Sequence, residues 1–230
     1  MKLDDLISKK AWDARIPTKR ELAEIGLRAP GANWWKEGND DGDIDSSVLR
    51  WQMRDKFIAG FTFAIPCRDA LEFIAGHSRN IVEIGAGTGF WASQLRRVGV
   101  DVIATDNTKP GEVSYHHTVG AHSPIVQMEA SEAVVAHPDR DVLAIWPCME
   151  DWLEKAIDQM KPGRKLFYIG ESSGGCTANS GFFDKVYDSD QYKEIGSFNM
   201  VQWTYIHDEM WVYEKLEPQE TRLLEPPQQG

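Results

Sequence analysis

The chain has few cysteines: Cys67, Cys148 and Cys176, with no Cys-x-x-Cys spacing. Any pairing leaves one thiol over, which argues against a disulfide framework and a structural zinc site and fits a reducing, cytoplasmic setting. Basic residues are also short, with 25 Lys and Arg against 36 Asp and Glu and a formal charge of −11. That balance argues against nucleic acid as a partner, because phosphate backbones are gripped by basic faces. No uninterrupted apolar run approaches ~18 residues, so no membrane-spanning helix is expected. The N-terminal stretch is charged and lacks an apolar centre, so no signal peptide is expected either. Hydrophobic residues still make up 42% of the 230 positions, enough to form a single core without metal or disulfide staples.

The first 78 residues have a helical and irregular pattern. Thr18-Lys19-Arg20-Glu21 has the form of a capping box, and Pro30-Gly31 is expected to stop the helix it starts. Residues 37–45 hold five acids but lack the Gly and Glu that a calcium loop requires at its sixth and twelfth positions, so they read as a solvated loop. A helix is expected over about Ser46–Phe63 and another over Cys67–His77, the latter burying Ala70, Leu71, Phe73 and Ile74. From residue 80 strands and helices alternate. Strands are expected at Asn80–Ile84, Asp101–Thr105, Pro124–Met128, Asp141–Trp146 and Lys165–Gly170, with helices at Thr88–Val98, Ser131–Ala136 and Met149–Lys161. That alternation predicts a parallel α/β sheet covered on both faces. In residues 192–216, Val201, Trp203 and Tyr205 are followed by Met210–Tyr213 across His207-Asp208, which predicts two antiparallel strands.

The most informative segment is Val82-Glu83-Ile84-Gly85-Ala86-Gly87-Thr88-Gly89-Phe90. Glycines allow the backbone to turn sharply from strand to helix and to approach a ligand without a Cβ in the way. The spacing is Gly-x-Gly-x-Gly, and Phe90 stands where a dinucleotide fingerprint has Gly or Ala. Glu83 would repel a pyrophosphate and suits a cationic group. The segment resembles motif I of the class I S-adenosylmethionine (SAM) dependent methyltransferases. That resemblance implies a Rossmann-like, seven-stranded sheet ending in an antiparallel hairpin, with SAM as cofactor. It implies cofactor contacts from Glu83, Gly85, Ala86, Gly87, Thr88 and Gly89, from Asp106 with Asn107 at the end of the second strand, and from Glu129 with Ala130 after the third. With the helical pattern before it and the Pro-, Gln- and Glu-rich end after it, this divides the chain into a helical N-terminal extension or lid (1–65), a SAM-binding domain (66–218) and a flexible tail (219–230).

The acceptor side carries less signal. The amino-methylating branch has Asn/Asp-Pro-Pro-aromatic after the fourth strand, whereas this chain has Ile145-Trp146-Pro147-Cys148, which puts DNA methylation in doubt. Cys148 reads as a buried, inert thiol. Trp146 and Glu171 end neighbouring strands, so both are candidates for the acceptor site: Trp146 as a wall or a core residue, Glu171 as a proton acceptor or an exposed loop acid. Tyr115-His116-His117 offers His116 as a general base or a surface histidine. Adjacent histidines on a strand cannot both face one ion, so no metal is assigned. Phe61–Pro66 is expected to cover the cofactor or to pack in the core. The reading is a SAM-dependent methyltransferase with a small-molecule or protein acceptor. Its alternatives are a non-catalytic protein that binds SAM or S-adenosylhomocysteine (SAH) and an NAD-dependent oxidoreductase, the latter disfavoured by Phe90 and Glu83.

Overall fold

A computed structural model describes residues 1–29, 44–109, 112, 120–187 and 190–217, with the backbone alone for 44–48. The strands are β1 (Asn80–Ile84), β2 (Asp101–Asp106), β3 (Ile125–Gln127), β4 (Asp141–Ile145), β5 (Lys165–Gly170), β6 (Tyr192–Asn199) and β7 (Glu209–Lys215). They form one seven-stranded sheet in the order β3-β2-β1-β4-β5-β7-β6. The first five strands pair in parallel, and β7 runs antiparallel to both of its neighbours. This is the Rossmann-like sheet with a terminal antiparallel hairpin that the sequence predicts.

Side chains alternate across a strand, so the apolar runs of β1, β4 and β5 supply two faces at once. Ile81, Val102, Leu143, Phe167 and Ile169 belong to one apolar cluster, and Val82, Ile84, Val142, Ala144, Leu166 and Tyr168 to the other. A 3-10 turn (Leu3–Ile7) precedes the helices α1 (Lys9–Ala14), α2 (Lys19–Glu24), α3 (Ile44–Gly60), α4 (Arg68–His77) and α5 (Phe90–Arg97). These elements contribute Leu6, Trp12, Leu22, Phe57, Leu71 and Trp91 to the first cluster. The helices α6 (Ala130–Ala136), α7 (Trp152–Asp158) and α8 (Ser180–Tyr187) cover the second. The described part of residues 1–65 thus shares a core with the sheet. Two indole donors reinforce this packing: Trp12 Nε1–H bonds to Leu6 O at 2.8 Å and Trp91 Nε1–H to Ala64 O at 3.0 Å.

Several details differ from the sequence reading. The Thr18 capping box forms, but α2 ends at Glu24 and Gly26 takes φ +92°, ahead of Pro30-Gly31, which lie outside the described residues. In α4, Phe73 is only partly buried, and Ala75 joins Ala70, Leu71 and Ile74 on the inner side. The helix α8 was not anticipated. The first hairpin strand is Tyr192–Asn199, not the Val201–Tyr205 stretch. Val201 and Trp203 are buried in the connection to β7, where Gln202 exchanges two backbone hydrogen bonds with Arg28 and Val201 bridges to Ile65. Alternation in 201–205 therefore reflects burial against the N-terminal segment and not ladder pairing. The acidic loop lies outside the described residues but for its last two positions, which begin α3, and so does the whole C-terminal tail. Among the described residues no helix is long and apolar enough to cross a membrane.

Candidate functional site

The carboxyl ends of β1, β2 and β4 open on a cavity of about 830 Å3. In open α/β sheets this edge, beside the point where strand order reverses, is where ligands bind, and the volume suits a small molecule. The glycine turn forms one side. Gly85, Gly87 and Gly89 adopt φ of +66°, +56° and +69°, a region that side-chain-bearing residues avoid. A Cβ on Gly85 would also meet the Trp152 ring at 3.1 Å. The turn is tied to β2, with Ala86 N–H donating to Thr105 O at 2.9 Å and Gly87 N–H to Asp106 Oδ2 at 2.8 Å.

Asp106 lines the cavity and is 9% exposed. Its Oδ1 accepts the Thr108 amide at 2.9 Å, so each carboxylate oxygen holds one backbone donor and keeps a second lone pair. Two adjacent acceptors of this kind match a vicinal diol. Asn107, Glu129 and Ala130 also line the cavity, the first two with exposed side chains, as does Met128 between β3 and α6. Thr88 and Gly89 do not line it. Thr88 is buried, with its hydroxyl bonded to Phe61 O, and Gly89 caps α5 beneath Ser123 and Ile125.

Glu83 reaches the cavity wall from below the turn, 2% exposed, and its Oε2 has no partner. Burial pushes its pKa up to about 8, against the Ala92 amide and Arg96, which favour the carboxylate. Near neutrality the group is protonated, and it is an ionisable partner only for a cation brought beside it. This modifies the expectation of a standing negative charge at the strand end.

Trp146 lines the cavity at the end of β4, with φ +49°. Its ring stacks on Phe63 at 5.0 Å, and its Nε1–H donates to Asp208 Oδ1 at 2.5 Å. Asp208 is fully buried and its Oδ2 has no partner; burial pushes its pKa up to about 7, against the Trp146 hydrogen bond.

Glu171 is placed differently from its expected role and is not on the cavity wall. It is buried, and its oxygens accept the amides of Cys176 at 2.8 Å and His207 at 3.0 Å. Burial raises its pKa, but those two amides together with the Cys176 thiol and the His207 ring lower it by more, so it lies below the usual carboxylate range. The carboxylate ties two loops together and, lying off the cavity wall, does not present an oxygen to it as a proton acceptor. Cys148 is exposed on the cavity wall, not buried, because the chain turns outward after Trp146; its sulfur accepts the Trp152 indole N–H at 2.9 Å. The inert buried thiol is Cys67, whose pKa burial pushes up to about 12. His116, like Tyr115 and His117, lies outside the described residues. Among the described residues no cluster of His, Cys, Asp and Glu is arranged to hold a metal ion.

Sequence reasoning missed Arg54 and Trp51, which reach the cavity from α3. Arg54 is 8% exposed and stands in register with Phe57 and Ile58 on the buried side of α3 and with Phe61 just past its end. A charged residue inside an apolar helical stripe is the signal that could have found it.

The two buried acids predict a pH dependence of stability. Both pKa values lie above their ordinary values of 4.5 and 3.8, so the folded protein holds protons that the unfolded chain releases. Stability therefore falls as pH rises, from about 4.5 to about 8 for Glu83 and from about 3.8 to about 7 for Asp208. The slope is at most about 1.4 kcal/mol per pH unit for each group. Denaturant midpoints measured across this range should fall in the wild type and flatten in Glu83→Gln and Asp208→Asn. An equal slope in all three proteins would locate the effect elsewhere.

No protein-family model matches the chain, and no curated protein matches it. Among solved structures it is similar to magnesium protoporphyrin IX methyltransferase from Synechocystis PCC 6803 with bound SAM, at 10% identity over 79% of this chain and 89% of the other, with a TM-score of 0.47. It is also similar to the O-methyltransferase TomG from Streptomyces achromogenes in complex with SAM, at 13% identity over 86% and 96% of the two chains, TM-score 0.44. A third is 1,6-didemethyltoxoflavin-N1-methyltransferase from Burkholderia thailandensis with bound 1,6-didemethyltoxoflavin and SAH, at 16% identity over 65% and 78%, TM-score 0.43.

Proposed function

We propose that the chain is a SAM-dependent methyltransferase acting on a small-molecule or protein acceptor, with residues 1–65 serving partly as the lid of the site. The observation that carries this reading is the pairing of a left-handed glycine turn with Asp106, whose two oxygens keep acceptor capacity toward the cavity. The residues fit the cofactor. Asp106 would take the ribose hydroxyls, Met128 and Ala130 would flank the adenine with Asn107 and Glu129 at its rim, and Gly85–Gly87 would admit the methionine portion. The orphaned Oε2 of Glu83 suits the cofactor's ammonium.

When bound, SAM supplies an electrophilic sulfonium methyl group for in-line displacement by the acceptor. The protein's own contribution is alignment and exclusion of water. Trp51, Phe61 and Phe63 cover the cavity from the N-terminal side, and Trp146 faces it at the end of β4, held by Asp208 and Phe63. Such a reaction needs an aligned nucleophile more than a catalytic triad.

A second reading, a protein that binds SAM or SAH without transfer, is favoured by Trp146-Pro147-Cys148 in place of a polar nucleophile holder and by the engagement of Glu171 with backbone amides. Calorimetric titration with SAM, SAH and NAD is the first test. SAM and SAH should bind at micromolar strength or better while NAD does not, and NAD binding without SAM binding overturns the proposal. An acceptor screen with methyl-labelled SAM then separates enzyme from binder.

A further inference from the structure

The guanidinium of Arg54 has more hydrogen-bonding capacity than this protein uses. It is 8% exposed on the cavity wall and lies 5.0 and 5.3 Å from the ring centroids of Trp51 and Trp146. Its buried Nε–H has no partner, and among the described residues no carboxylate forms an ion pair with it. Asp208, Asp55 and Glu171 act on it only at longer range, and the bonded oxygens of Asp208 and Glu171 serve Trp146, Cys176 and His207. A guanidinium carries five donors in a planar fork, and keeping such a group out of water is costly unless acceptors fill the fork. The group whose paired oxygens match that geometry is a carboxylate.

The position of Arg54 identifies which ligand brings the carboxylate. Trp146 follows β4, while Cys176 and Ile206, on the same cavity wall, follow β5 and precede β7. Asp106 and Met128, in contrast, follow β2 and β3, on the other side of the glycine turn. Beside Arg54 the wall carries the rings of Trp51 and Trp146, with Phe63 stacked on the latter. The net charge of −11 does not draw anions to the surface, so selection depends on the one buried cation on the cavity wall.

Resting on the reading that the cavity takes SAM and a methyl acceptor, we propose that the acceptor is an apolar molecule bearing a carboxylate, with the anion held by Arg54. The test titrates SAH-saturated protein with naphthoate, indole acetate and cinnamate, and with the primary amide of each, which keeps the shape and removes the charge. At least one acid should bind about tenfold or more tightly than its amide. Arg54→Met should abolish that preference while leaving SAH affinity within about threefold, and Arg54→Lys should retain part of it. Equal binding of every acid and amide by the wild type, or binding of none, overturns the proposal without recourse to a variant. A tenfold loss of SAH affinity in Arg54→Met, with methylthioadenosine affinity unchanged, also overturns it, because methylthioadenosine lacks the amino-acid carboxylate and the guanidinium would then belong to the cofactor. If the wild type binds no SAH, the underlying reading fails, and the acid-to-amide ratio measured without SAH still decides whether Arg54 is an anion site.

Discussion

Asp106→Ala should lower the affinity for SAM and for SAH by about 100-fold or more, and by the same factor for both. The two ligands share a ribose, and each hydrogen bond from a hydroxyl to a carboxylate is worth about 1.5–3 kcal/mol. Losing two exceeds the roughly 2.8 kcal/mol that 100-fold represents. The loss has a second component. The same carboxylate accepts the amides of Gly87 and Thr108, so its removal leaves the glycine turn and the loop after β2 without their common anchor. Asp106→Asn keeps one oxygen and should lie between the two. Calorimetry on all three proteins checks this, with thermal unfolding to separate a loosened turn from a lost contact. An unchanged SAH affinity in the alanine variant would show that the acid serves only the backbone.

Trp146→Ala should reduce methyl transfer by about 100-fold or more while leaving SAH affinity within about tenfold. The side chain is a junction: it stacks on Phe63, lies against Arg54 and occupies Asp208 Oδ1. Its removal frees all three at the proposed acceptor end, while the contacts from β1 to β3 stay in place. Removing a large packed aromatic can cost about 3–5 kcal/mol of stability, so unfolding must be measured alongside turnover. Glu171→Gln provides the contrast. Because Glu171 holds two loop amides away from the cavity wall, its loss should cost about 1–3 kcal/mol of stability with little effect on SAH affinity. Normal turnover in a folded Trp146→Ala protein would remove Trp146 from the acceptor site.

The parts of the molecule legible in its sequence are those set by short-range rules. Bounds of β1 and β5 follow from apolar runs ended by turn residues, and the alternation of strand and helix leaves few sheet topologies to consider. The glycine turn is legible because only glycine populates successive left-handed positions without strain. Asp106 is legible through its place at the end of the strand after that turn. Less legible were features whose partners lie far along the chain. The stretch 201–205 alternates like a strand, yet its pairing partners are Arg28 and Ile65, and periodicity reports burial without saying against what.

Local chemistry in the sequence by itself thus determined the class of sheet, the glycine turn and the acid beside it, because each depends on backbone preferences and on neighbours a few residues away. Only the tertiary structure decided which polar groups face the cavity and which are consumed by backbone amides. Arg54 and Asp208 lie far apart in the chain, on α3 and in the loop before β7, and Trp146 meets both only after β4 and that loop have packed beneath α3. The structure also separates Trp146 from Glu171, which look equivalent at the ends of adjacent strands. A strand end fixes where a side chain begins, but the donors folded around it, here the amides of Cys176 and His207, decide whether its charge is available to a ligand.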